Sequence, residues 1–343
     1  SFGTFAVGEL HNPLQGFDRA IEYTGDEVSI RYPSRLGAMT LDASRIAQNN
    51  NLVFEAGQIN FCVDVCKNIT VSAREDEEVV VSAHSPRPSL ATHAAKLMQQ
   101  ALKLTNGFNI DIQDEVDLRH TGLGSSGSTI AGVAAAINEI YGRPIDDLKL
   151  ARYTTHNYGE EIKNDPDRLM VVQSIGGSAM CGLVEGGIII VSGKAVPIFS
   201  RNLDASTAVT IGVPEDYVPL DAQAMMEAEL ANMDGFTNAG NEHAGKISYR
   251  LVHEVLPGLV TDDLKPCKDL IFDYRWNMGS IASCSFVYPR MVDIAESLRD
   301  LKNDSKIDII APSSVGPAFF ALSQDPDYVS GRFSELGMKI YNT

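Results

Sequence analysis

Cysteine is scarce in this sequence, and what there is does not pair. Cys62, Cys66, Cys181, Cys267 and Cys284 are five among 343 residues. An odd, scattered set argues against a disulfide framework and is expected to be reduced, mostly buried thiols in a cytoplasmic protein. Cys62-Val63-Asp64-Val65-Cys66 could be read as half a metal site, yet the alternation across residues 59–65 fits a strand better. No CxxC or HxxxH partner stands elsewhere in the chain. Positive charge is also in short supply. Lys and Arg number 28 against 45 Asp and Glu, a formal net charge of -17. Nucleic acids and membrane surfaces carry the same sign, so neither is an expected partner. Long apolar runs are missing. The most apolar stretch, residues 131–137, is stopped by Asn138 and Glu139, too short to cross a bilayer. No basic, apolar signal segment opens the sequence, which adds to the cytoplasmic expectation.

Two nucleotide signatures are absent as well. There is no GxxxxGK[ST] lysine, and the glycine spacing does not give GxGxxG, which sets aside the Walker loop and the dinucleotide fingerprint. What stands out is Asp117-Leu118-Arg119-His120-Thr121-Gly122-Leu123-Gly124-Ser125-Ser126-Gly127-Ser128-Thr129, running into a small-residue apolar helix from Ile130 to Ile140. Glycines let a backbone turn with its amides facing inward, serines add hydroxyl donors, and a helix N-terminus carries about half a positive charge. Such a loop cradles phosphate or pyrophosphate without a cationic side chain. A Gly/Ser turn that only caps a buried helix is the plainer alternative. The coincidence of two glycines, two consecutive serines and a tightly packable helix favours the anion.

At 343 residues with 44% hydrophobic and 21% charged residues, the chain is an ordinary globular protein large enough for two packed lobes. Residues 1–25 show little periodicity and read as an N-terminal extension. Residues 27–32 look like a strand ending at Pro33. A β-rich stretch follows over 51–65 and 67–74, then an acidic turn at 75–78, with helical spacing over 88–104 and a strand at 108–112. Helices are expected at 145–158, 222–231, 242–255, 263–276 and 288–301. Strands are expected at 182–192, 207–213, 306–310, 318–322 and 338–340. Strands and helices so mixed, without regular alternation, predict an α+β fold. The change near 200–206 sets the expected boundary: a first lobe over 26–203 that holds the loop, and a second over 204–343.

Gly122-Leu123-Gly124-Ser125-Ser126 resembles the second motif of the GHMP kinase superfamily, PxxxGLGSSAA, with Gly127-Ser128 replacing the alanines and the upstream proline missing. Tyr32-Pro33-Ser34-Arg35-Leu36-Gly37 stands where those kinases carry their first motif, and Ser313-Ser314-Val315-Gly316-Pro317-Ala318 where they carry their third. The resemblance implies a ribosomal-S5-like N-terminal lobe and a ferredoxin-like C-terminal lobe with the site between them. Three departures lead away from the kinases. Ser174-Ile175-Gly176-Gly177-Ser178-Ala179-Met180-Cys181-Gly182 has no carboxylate where they carry a catalytic aspartate. The first motif reads Pro-Ser-Arg. The stretch Phe54-Glu55-Ala56-Gly57-Gln58-Ile59-Asn60-Phe61 is similar to a segment of the β-ribofuranosylaminobenzene 5′-phosphate synthases, a branch with Pro-Ser-Arg and Ser-Ser-Trp-Gly-Pro as its first and third motifs. Val315 replaces that tryptophan here.

Likeness to that branch implies phosphoribosyl pyrophosphate (PRPP) as donor and an aromatic or heteroaromatic carboxylate as acceptor. Ribose 5-phosphate would be joined through carbon with loss of pyrophosphate and CO2, as in relatives that build C-nucleoside antibiotics. Mg2+ is the expected cofactor, since a divalent ion bridges phosphate oxygens well. The implied phosphate-binding set is Arg35, His120, Thr121, Gly122, Leu123, Gly124, Ser125, Ser126, Gly127, Ser128, Ser313, Ser314 and Gly316. Arg35 offers a bidentate fork for phosphate or carboxylate. Arg119 and His120 precede the loop, His120 being either an anion contact or a strand-end histidine bound to backbone. Lys163 and Arg168 read as part of a solvated charge run, and His156 as structural. Asp42, Glu55 and Asp64 are candidate metal ligands among which nothing selects. No catalytic residue and no metal ligand is assigned. The acceptor ring stays open, as does a homodimer. A GHMP small-molecule kinase with a relocated base is the alternative, and a silent binding protein of the same fold the third.

Overall fold

Two long neighbouring strands frame the first half of the chain. The computed structural model describes residues 2–46 and 55–343; residues 51–54 of the expected β-rich stretch, with Phe54 of the motif-like segment, lie outside the described residues. After a short β1 (Thr4–Ala6), β2 (Glu27–Thr40) and β3 (Gln58–Ala73) pair antiparallel from Glu27 opposite Ser72 to Thr40 opposite Gln58. Pro33 does not end its strand. It sits at a register shift between Tyr32 and Ser34, where a residue without an N–H donor is tolerated. The first lobe continues with β4 (Val79–Val81), α1 (Pro88–Leu102), β5 (Phe108–Asp114), α2 (Ser125–Ile140), α3 (Asp147–Thr155), β6 (Glu160–Ile162), β7 (Asp165–Met170), α4 (Gly177–Leu183), β8 (Ile188–Ser192) and β9 (Val196–Arg201). One six-stranded sheet runs β4-β5-β3-β8-β9, with β2 also on β3.

Why these segments adopt these states follows from their patterns. Buried and open residues alternate along β5, and Ile110 and Ile112 bury one face. Helix α2 is rich in alanine and buries Ile130, Val133, Ile137 and Ile140 against Ile69, Val71 and Phe108 of the sheet. Burying each such branched or aromatic side chain contributes roughly 1.5–3 kcal/mol. The described part of the expected N-terminal extension, residues 2–25, turns out to be tied down. Phe5 is buried, and β1 forms a small sheet with the β6–β7 hairpin in the order β1-β7-β6.

The second half forms its own sheet. It comprises β10 (Ala208–Pro214), α5 (Ala222–Ala231), α6 (Met233–Arg250), β11 (Ile307–Pro312), β12 (Phe319–Ser323) and β13 (Met338–Asn342), with further short helices between residues 251 and 303. Strand order is β11-β12-β10-β13, all antiparallel. Two π-helical turns, Leu251–Val255 and Asp273–Asn277, interrupt the helical stretch. A shared core joins the halves: Leu36, Met39, Ile59, Phe61 and Ile190 from the first sheet pack with Ile211, Ile309, Phe320 and Leu322 from the second. The fold is α+β, as the mixed pattern predicts. Among the described residues, no helix is long and apolar enough to cross a membrane.

Candidate functional site

Three backbone segments meet at one end of that shared core. The loop before α2 lies beside β2, with Arg35 N–H donating to Leu123 O at 3.1 Å. The turn after β11 is braced to both: Ser313 Oγ donates to Gly122 O at 2.7 Å and accepts from Gly37 N at 3.1 Å, while Ser314 N–H donates to Gly37 O at 2.7 Å. Two loop glycines are required by space and by backbone. Gly122 has φ 105° and a Cβ there would lie 2.3 Å from Ser313 O. Gly124 has φ 74°, and its Cβ would lie 2.1 Å from Ser178 Oγ and 2.9 Å from Arg35 Nη2. No side chain caps α2, whose N-cap is Gly124, so the amides that open the helix have no partner within it.

These segments wall a cleft of about 220 Å³. From the implied phosphate set it gathers Arg35, His120, Gly122, Leu123, Gly124, Ser125, Ser126, Gly127, Ser314 and Gly316. The remaining three point elsewhere. Thr121 Oγ1 donates to Leu118 O at 2.6 Å, Ser128 is fully buried with Oγ on Ser125 O at 3.0 Å, and Ser313 is the brace just described. Arg119 faces out, in an exposed pair with Asp117 at 2.8 Å. Lys163 pairs with Asp221 at 3.2 Å, and His156 Nε2 meets Lys194 O at 3.1 Å. None of the three candidate metal ligands is in the cleft lining. Asp42 Oδ1 accepts from Ser44 N, Glu55 pairs with Arg45 and Asp64 with Arg31. Among the described residues no three acidic, His or Cys side chains gather as a cation site.

The cleft is richer in positive charge than the chain as a whole, with Arg35 and Arg87 in its lining against Glu160 and Glu229. Arg35 makes one long hydrogen bond, Nη1 to Gly122 O at 3.4 Å, and meets no carboxylate among the described residues. Burial holds its guanidinium below the usual value, and the charge of Arg275 pushes the same way. Arg275, which the sequence analysis did not single out, sits buried in the π-helical turn Asp273–Asn277. It donates to Ala38 O at 2.7 Å, to Gly37 O and Ser314 O at 2.8 Å each, and to Ser280 Oγ at 3.0 Å. Carbonyls alone do not neutralise it. Two arginines without counter-ions among the described residues therefore back one wall of the cleft.

Another part of the lining is a charged network in which Arg87 Nη1 alone is left without a partner among the described residues. Arg87, at the start of α1, pairs with Glu160 and, at 2.5 Å, with Glu161. Ser126 Oγ donates to Glu160 Oε2 at 2.7 Å and accepts from Arg87 Nη2 at 2.7 Å; Tyr158 Oη donates to the same carboxylate at 2.9 Å. Glu160 is thereby saturated. Behind the loop, Lys67 Nζ bridges Asp114 at 2.7 Å and Ser125 Oγ at 3.2 Å. Burial, then the charge of Arg87, lowers the His120 pKa. The acid-free segment after residue 174 lines the cleft through Ser178 and then turns inward, Met180 fully buried and Ala179 O accepting from Tyr32 Oη at 2.8 Å. The sequence signals for Arg87, Glu160 and Arg275 were weak, because lone charged residues in a helix start, a charge run and a helix do not announce burial.

Comparison with known proteins finds the same fold elsewhere. Residues 89–166 match the family described as GHMP kinases N terminal domain. No curated protein matches the chain. Among solved structures, a homoserine kinase from Cytophaga hutchinsonii superposes with a TM-score of 0.60 at 14% identity, over 95% of this chain and 96% of that one. A mevalonate pyrophosphate decarboxylase from Streptococcus pyogenes gives 0.62 at 12% identity, over 94% and 97%. The Streptococcus pneumoniae phosphomevalonate kinase gives 0.58 at 13%, over 93% and 99%.

Proposed function

For a chain that carries a GHMP kinase N-terminal domain on a GHMP-type fold, we propose a PRPP-dependent C-glycoside synthase. It joins ribose 5-phosphate to a ring carbon of an aromatic or heteroaromatic carboxylic acid, releasing pyrophosphate and CO2. The observation that carries this reading is the pairing of a counter-ion-free Arg35 with an uncapped helix start, where the carboxylate that touches the loop, Glu160, is already engaged. Such a pairing is built to hold an anionic group. The segment after residue 174 brings no carboxylate to the loop, where hydroxyl phosphorylation would use a positioned base, a feature typically contributing about 10²–10⁴-fold.

The chemistry needs little from the loop beyond that. The C1–O bond of the donor breaks with its electron pair leaving on pyrophosphate. A ring π pair of the acceptor forms the bond to C1, and the bond to the carboxyl carbon then breaks, its pair restoring aromaticity as CO2 departs. Amides of residues 124–127 and the Arg35 fork stabilise the charge that builds on the leaving group, a contribution worth about 3–4 kcal/mol per well-placed donor in other enzymes. Mg2+ would supply further charge neutralisation on the pyrophosphate. With Glu160 saturated, the loop offers it chiefly the Ser125 hydroxyl, so phosphate oxygens would provide most of its ligands.

The test follows products. With PRPP, Mg2+ and an acceptor labelled in its carboxyl group, pyrophosphate and labelled CO2 should appear in equal amounts, and the product should resist acid that cleaves N-glycosides. ATP consumption with a phosphorylated product would instead establish a kinase. Pyrophosphate without labelled CO2 would leave the donor and remove the decarboxylation.

A further inference from the structure

Beside the cleft lies a second, more apolar chamber of about 480 Å³, walled by Val171, Phe236, Tyr274 and Met233. Val172, Ile175, Met226 and Val315 line both spaces. One carboxyl stands at the joint: Glu229, near the end of α5, lines cleft and chamber alike. Unlike Glu160 it has neither an ion pair nor a hydrogen bond among the described residues. Arg275 lines the chamber too, but its donors are engaged by Ala38, Gly37, Ser314 and Ser280, and it does not pair with Glu229. The Cys284 thiol lies close enough to sense the Glu229 charge. Burial alone lifts the Glu229 carboxyl to about 7. Glu229 is half-buried, so its carboxyl faces the space of both cavities without a partner from the fold.

We propose that Glu229 contacts the second substrate, accepting an N–H or amino donor of an acceptor ring that lies in the apolar chamber. This rests on the C-glycoside reading above and narrows it to acceptors that carry such a donor conjugated with the attacking carbon. Attack on C1 places positive charge on the ring until CO2 leaves, and that charge is shared by the conjugated N–H. A carboxylate hydrogen-bonded there holds the charged ring more strongly than the neutral one, which is what accelerates a reaction. The same negative charge repels the acceptor's carboxylate, turning the reacting edge away from Glu229 toward the cleft and Arg35. No proton need be transferred: the hydrogen bond forms with the substrate and strengthens during the step.

The experiment compares wild type with Glu229→Gln and Glu229→Ala, using whichever benzoate or azole carboxylate supports pyrophosphate release, and its N-methylated counterpart lacking the donor. All three proteins should show the same thermal shift with PRPP and Mg2+, which reports an intact fold and donor site. Wild type should favour the N–H acceptor by 10²-fold or more in kcat/KM; E229Q should lose about 10²-fold on it, and E229A should lose the discrimination. Variants that keep wild-type kcat/KM and preference overturn the assignment of Glu229 while leaving the reaction standing. Failure of the wild type to release pyrophosphate with every acceptor overturns both.

Discussion

Arg35 occupies a position where a cation opposes the fold. Its guanidinium is held against the backbone of Gly122 with no acid to offset it, and a second unneutralised arginine lies near. A buried charge without a partner costs the native state several kcal/mol, partly relieved where water still reaches it. Replacing Arg35 by Met should therefore leave stability unchanged or raise it by about 1 kcal/mol. Donor binding should fall by 10²-fold or more, since hydrogen bonds to a charged group are worth about 1.5–3 kcal/mol each. Calorimetric unfolding with and without PRPP and Mg2+ measures both, and a variant that is destabilised yet still binds would make Arg35 a structural residue. At this scale the sequence was informative where chemistry is local. Gly122, Gly124 and Ser125 could be read from spacing alone. Ser126 lies at the loop as expected, but its hydroxyl is committed to Arg87 and Glu160, partners 39 and 34 residues away along the chain. Nothing within the motif carries that information. Glu229 was illegible for the same reason: its solitude is a property of the folded surroundings.

Elements were legible in proportion to their self-sufficiency. The spacing over 222–231 gave α5 to the residue, and 88–104 gave α1 to within its last turn. Segments that need a partner were misread. The β6–β7 hairpin lies in what looked like a solvated charge run, because its strands carry acids and a proline on their open face and are held by β1 and Arg87. His93 shows how that docking is secured. Its Nδ1 accepts from Gly8 N–H at 2.8 Å and its Nε2 donates to Asn157 O at 2.6 Å, so the fully buried ring must be neutral. Burial lowers its pKa to about 4, from an ordinary value of 6.5. The unfolded state then binds the proton first, so stability is present above pH 6.5 and lost as pH falls toward 4. The loss over that window amounts to about 3 kcal/mol for a shift of this size. His93→Gln should flatten that limb of the stability–pH curve. An unchanged slope between pH 6.5 and 4 in the variant would assign the acid sensitivity to other groups.

At the scale of the whole molecule, sign and place are in tension. A chain of net charge -17 surrounds a cleft backed by Arg35 and Arg275. The six-stranded sheet and the four-stranded sheet share a core, and the cleft lies where β2, the loop before α2 and the turn after β11 meet. An incoming polyphosphate therefore meets repulsion at long range and attraction only on arrival. Ions screen the two unequally: at 0.1 M salt the Debye length is about 10 Å, so the outer field is suppressed while contacts inside the cleft are screened far less. Raising ionic strength from about 10 to 150 mM at fixed free Mg2+ should accordingly leave the association rate of the donor unchanged or increase it several-fold, the reverse of a basic anion-binding surface. Dissociation should change little, because the Arg35 and backbone contacts that hold the donor are sheltered. Stopped-flow mixing across that salt range separates the two rates. A steep fall in association with salt would mean that the donor is steered by exposed cations such as Arg119, and that the cleft behind Gly124 is not where it first binds.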